Sequence, residues 1–194
     1  MLNLSFDESK ATEAAAFLLS RSDQTMNYMK LIKLLYLADR EALIRWGRPI
    51  STDRYVSMKH GPVLSNVLNL ISFGSLSEKA GSWSSLISNP SGYDVSLERE
   101  ISEEDFEELS VAERKLLDEI WGKYGGLDEW ELVDLLHDVG EWQDPHGTSV
   151  PISYSEILRA GGRSEDFIAA VEGELSAVDK KNRKRPDLNA LDCR

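Results

Sequence analysis

The stretch Met29-Lys30-Leu31-Ile32-Lys33-Leu34-Leu35-Tyr36-Leu37-Ala38-Asp39-Arg40 is followed about twenty residues later by Lys59-His60-Gly61-Pro62-Val63. Over residues 26–46 the apolar positions Met29, Leu31, Ile32, Leu34, Leu35, Tyr36, Leu37, Ala38, Leu43 and Ile44 cover most of a helix circumference. That leaves Lys30, Lys33, Arg40 and Glu41 as a narrow polar stripe. A helix apolar nearly all round belongs at the centre of a fold, so this spacing predicts a mainly α protein built around one long helix.

Gly47 and Pro49 suit the end of that helix. Tyr55, Val56 and Met58 then predict a short strand ending at Lys59-His60. Proline fits a first helical turn, where its missing N–H would be unpaired anyway, so Pro62 is read as opening a second core helix over 62–73 with Val63, Val67, Leu70 and Ile71 inward.

Outward from this segment, Asp7 can cap a first helix carrying Ala14, Phe17 and Leu18. Alternation through Tyr93, Val95 and Leu97, with Asn89-Pro90-Ser91-Gly92 as a turn, predicts a β-hairpin insert at about 82–98. Capping boxes at Ser110/Glu113 and Ser153/Glu156 open helices that Gly125-Gly126 and Gly161-Gly162 close, and Asp128 opens another through His137. A last helix starts at Ser164. No repeat recurs, so residues 1–178 read as one compact helical domain with a small hairpin or short antiparallel sheet appended, and the aperiodic basic segment 179–194 is expected to be disordered.

The chain has 194 residues and a net charge of −12, and residues 1–178 alone carry 16 basic against 31 acidic groups. Such a body repels phosphate backbones and suits protein partners, so no specific nucleic-acid binding by the chain alone is expected. The basic tail could contact nucleic acid or be a solvated extension. No apolar run reaches the ~20 residues of a membrane span, and residues 1–8 resemble no export signal, so a cytoplasmic protein is expected. Cys193 is alone, which excludes an intrachain disulfide and a cysteine metal site.

The helix 29–40 together with Lys59-His60-Gly61-Pro62-Val63 resembles the opening signature of the Panacea domain, a family of SocA-like antitoxins and GepA-type phage-associated proteins. A second stretch, Glu131 through His137 with Trp142 shortly after, is similar to that family's second landmark, a helix ending in histidine followed by a tryptophan. The resemblance covers residues 10–160 and departs in the Ile32-Lys33 pair, where many relatives place a glutamine beside the lysine. It implies an antitoxin that binds and neutralises a co-encoded toxin protein, in some members by delivering it to a protease. An adaptor presenting a client to a protease and an uncharacterised enzyme are the alternatives.

The candidate partner-binding or motif residues are Lys30, Lys33, Tyr36, Asp39, Arg40, Lys59, His60, Gly61, Pro62, His137 and Trp142. His60-Gly61-Pro62 could present free helix N–H groups to an anion, or His60 could brace a strand-to-helix corner. Asp39 and Arg40 follow a wholly apolar run, which calls for an internal ion pair. Lys30 and Lys33, one turn apart, read as a solvated stripe or a partner contact. Most tryptophans read as core or hairpin anchors, with Trp142 either closing the core or anchoring an interface. Asp134 and His137 have the spacing of half a carboxylate-bridged metal site without a second pair, and no nucleophile elbow or phosphate-binding glycine motif occurs, so no catalytic residue, metal or cofactor is expected. An enzyme would have to draw on Asp39, His60, Asp134 or His137.

Overall fold

Residues 31–39 of the central helix are all buried, and so are residues 11–19 of the helix before it. The computed structural model describes residues 4–73 and 82–183, with side chains to residue 179. Helix α1 (Glu8–Ser20) is capped by the Asp7 carboxylate, which accepts from the Lys10 N–H, and its Ala14-Ala15-Ala16 run is buried. Helix α2 (Tyr28–Trp46) is the axis of the fold, touching α1 and three later helices over 111–124, 129–137 and 154–160. It starts two residues after Met26, because the Asn27 side chain accepts from the Met29 N–H while 25–27 form strand β1 (Thr25–Asn27). Gly47 ends it at φ 74°, a left-handed conformation that glycine alone adopts without strain, and a Cβ there would meet Val171 at 2.7 Å.

Strand β2 (Tyr55–Met58) forms as expected, but the chain then reverses into strand β3 (Gly61–Leu64) rather than a helix. Met58 faces Gly61 across a turn of Lys59 and His60, and Gly61 takes φ 86° to make it. Pro62 therefore lies in a strand, which corrects the expected helix over 62–73. An edge strand tolerates proline, and β3 is at an edge of its three-stranded sheet, with β2 in the middle. Helix α3 (Ser65–Phe73) begins three residues later, and its first N–H groups are taken by the buried Asp53 carboxylate, which accepts from Asn66 N and Val67 N. Those donors are thus filled from within the chain, and His60-Gly61-Pro62 opens no helix.

Helix α4 (Ser82–Leu86) occupies the first arm of the expected hairpin, which corrects that reading. Single bridges Ile87–Leu97 and Ser91–Asp94 do turn the chain back, yet strand β4 (Asp94–Ser96) makes its ladder with β1, seventy residues earlier, where Val95 faces Met26. Helices α5 (Val111–Tyr124), α6 (Glu129–His137) and α7 (Tyr154–Ala160) each open with a capping box, at Ser110/Glu113, Asp128/Glu131 and Ser153/Glu156. Strand β5 (Val150–Ile152) joins the free side of β2. Helix α8 (Glu165–Arg183) runs past the boundary expected at 178. The rest of the expected tail lies outside the described residues. The fold is mainly α, with a two-stranded and a three-stranded antiparallel sheet.

Candidate functional site

Tyr36 and Arg40 stand one turn apart on α2 and converge on Glu141, in the loop after α6. The Tyr36 hydroxyl donates to Glu141 Oε1 at 2.8 Å, and Arg40 donates from Nε to Oε1 at 2.5 Å and from Nη2 to Oε2 at 3.2 Å. Burial and the neighbouring Glu141 carboxylate hold the Tyr36 phenol neutral, its pKa well above the ordinary value. Burial pulls against the Arg40 charge, and its bond to Glu141 outweighs that. The internal ion pair is therefore Arg40–Glu141.

Asp39 has no cationic partner among the described residues. Its carboxylate is enclosed by donors, accepting from Ile50 N at 2.9 Å, Ser51 N at 3.0 Å, the Ser51 hydroxyl and the Tyr55 hydroxyl at 3.2 Å. Burial outweighs the Ser51 and Ile50 donors and pushes its pKa up to about 6. Asp39 thereby pins the loop after α2 to the start of β2.

Lys33 is 1% exposed, which corrects the solvated stripe. Its ammonium donates to the Pro62 carbonyl at 2.9 Å, and burial lowers its pKa to about 7. Lys30 reaches another neighbour, donating to the Gly125 carbonyl at 2.7 Å with its Nζ 5.5 Å from the Trp121 ring.

The two stretches that resemble the Panacea landmarks meet at the β2–β3 turn. His137 Nε2 is 3.2 Å from the Lys59 carbonyl, Trp142 Nε1 donates to the Met58 carbonyl at 3.2 Å, and the two rings pack 4.3 Å apart. The Gln143 N–H donates to the Ser57 hydroxyl at 3.2 Å. Trp142 thus clamps the hairpin to the α6 loop. His60 does not brace a corner; its ring is exposed and lies edge-on to Trp130 at 5.5 Å and 86°.

The candidates therefore divide. Lys33, Tyr36, Asp39, Gly61 and Pro62 are buried. Lys30, Arg40, His137 and Trp142 are half-buried and engaged, while Lys59 and His60 reach solvent. Asp39, His60 and His137 lie on separate contacts, and the described residues hold no group of three or more His, Cys, Asp or Glu that could bind a metal. An open groove of about 710 Å³ runs between β2, β5 and α8, lined by Arg54, Tyr154 and Glu172 among others, and none of the eleven candidates lines it. No helix among the described residues is long and apolar enough to cross a membrane.

Reading the sequence missed Glu141, Asp53 and Trp130. Glu141 and Asp53 carry no local mark, because their partners lie 101 and 13 residues away. Trp130 did have a signal: it falls seven residues before His137 and so on the same helix stripe.

A family model described as antitoxin SocA-like, Panacea domain, matches residues 31–143. No curated protein and no solved structure matches the chain. The matched segment is more than half of the chain and takes in the Lys33, Tyr36 and Arg40 face of α2, the β2–β3 turn and the Trp142 clamp, so the chain belongs to the SocA-like antitoxin family of Panacea domains.

Proposed function

We propose that the protein neutralises a co-encoded toxin by direct protein contact, without a catalytic step of its own. The observation that carries this reading is membership of an antitoxin family, established over residues 31–143. The way the motif residues are used supports it. Lys33, Tyr36, Asp39, Arg40 and Trp142 all hold α2, the hairpin and the α6 loop together. A framework of that kind leaves its outer surface free to be shaped to a partner.

Co-expression with the product of the neighbouring open reading frame tests the reading. That product alone should arrest growth, and this protein should restore it. A harmless product, or arrest that persists with this protein present and folded, overturns the proposal. Capture of a protease without a small toxin favours the adaptor reading in its place.

A further inference from the structure

Trp130 is 54% exposed, whereas Trp83 is 2% exposed in the core, so no described residue covers the Trp130 ring fully. It stands outside the buried stripe of α6 formed by Leu132, Val133 and Leu136, and shares its outer stripe with Asp134 and His137. The exposed His60 ring lies against it from the β2–β3 turn. A second aromatic pair adjoins: Tyr28 and Tyr93 pack at 6.2 Å, and the Asn27 side chain, next to Tyr28, donates to Glu129, next to Trp130, at 3.3 Å. Tyr93 is 71% exposed. The Asn27–Glu129 bond thus links two aromatic pairs into one band, His60–Trp130 at the hairpin turn and the start of α6 and Tyr28–Tyr93 at the β4 turn.

The charge around this band is of one dominant sign. Residues 124–158 contain eight Asp or Glu and no Lys or Arg. Asp128, Glu131, Asp134 and Asp138 are exposed along α6 and its caps, and Asp94 is exposed beside Tyr93. Lys59 on the turn is a counter-charge within the patch. Large aromatic rings inside an acidic field attract lysine and arginine twice, through the ring faces and through the carboxylates. Tryptophan and tyrosine are also the side chains that most often dominate binding energy when a partner covers them.

We infer that the Trp130–His60–Tyr93 band is the surface that receives the toxin, and that the toxin segment seated on it is basic. The inference rests on the antitoxin reading and adds to it the contact surface and the partner's chemistry.

The test uses the full chain and the purified product of the neighbouring open reading frame, with binding followed by calorimetry at low and high salt and neutralisation followed by growth. Trp130→Ala and Asp134→Lys should each weaken binding by about tenfold or more, and wild-type binding should weaken as salt rises. Both positions are exposed, and unchanged thermal melts show that the variants fold. Val111→Ser, at an exposed apolar site on α5, should bind like the wild type. If the wild type itself fails to neutralise, the antitoxin reading falls and takes the surface with it. If the wild type neutralises and both variants bind within twofold of it, the surface alone is overturned. Self-association that Trp130→Ala abolishes would put a second copy of this chain on the band and likewise overturn the inference.

Discussion

The Lys33 ammonium and the Pro62 carbonyl are joined at 2.9 Å inside the protein, binding the middle of α2 to the β2–β3 hairpin. Gly61 makes the approach possible: a Cβ on that residue would lie 3.2 Å from Lys33 Nζ and 3.5 Å from the Leu136 side chain. The turn, the buried amine and α6 are therefore packed as a unit.

Gly61→Ala should destabilise the protein by about 2 kcal/mol, combining the ~1–2 kcal/mol cost of a left-handed alanine with crowding against Lys33. Urea unfolding of the variant measures it. A midpoint indistinguishable from wild type would show that the hairpin can shift without loss.

The buried Arg40–Glu141 pair gives asymmetric expectations. Glu141→Ala strands Arg40 and the Tyr36 hydroxyl and should cost about 3 kcal/mol or more. Arg40→Met combined with Glu141→Leu should cost clearly less than Glu141→Ala alone, because no charge is left unpaired. Denaturation of the single and double variants decides between a pair that supplies net stability and one that is merely costly to break.

Lys33 makes stability depend on pH above neutrality. Its pKa is about 7 in the folded chain against an ordinary 10.5, so between those values the unfolded chain binds more protons and stability rises with pH. Lys33→Met should flatten the rise between about pH 7 and 9. If the slope persists in the variant, the amine does not titrate as its burial dictates.

Asp39 acts in the acidic range with the opposite sense. Its folded pKa of about 6 lies above the ordinary 3.8, so its contribution is full below 3.8 and is lost as pH rises through 6. Asp39→Asn should remove that fall, read from melting temperatures between about pH 4 and 7. A fall of unchanged size in Asp39→Asn would assign it to other groups.

Elements whose information is local could be read from the sequence. The capping boxes at Ser110 and Ser153, the Asp128 helix start, the Gly47 stop and the apolar girth of α2 are each set by residues within one or two turns. The reading failed where distant partners decide. Pro62 looks like a helix start until β2 is seen beside it. Lys33 looks solvated until the Pro62 carbonyl arrives from 29 residues away. The alternation in 93–97 predicts a strand correctly but cannot reveal that its partner is Thr25–Asn27. At the candidate site the motif residues were visible and their job was not, because being buried at the junction is a property of the assembled fold.

The strand order β3-β2-β5 also sets where the chain can be cut. Strand β2 belongs to the matched segment, but its second neighbour, residues 150–152, and the α1 face covering α2 lie beyond either end of it. Residues 31–143 excised alone would leave β2 with an open hydrogen-bonding edge and α2 with a bare apolar flank, an aggregation-prone fragment. A minimal chimera that transplants this surface onto another member of the family must carry the segment from Asp7 through the α8 residues Ile168, Val171 and Leu175 that complete the core, so the family motif marks the heart of the folding unit without enclosing it.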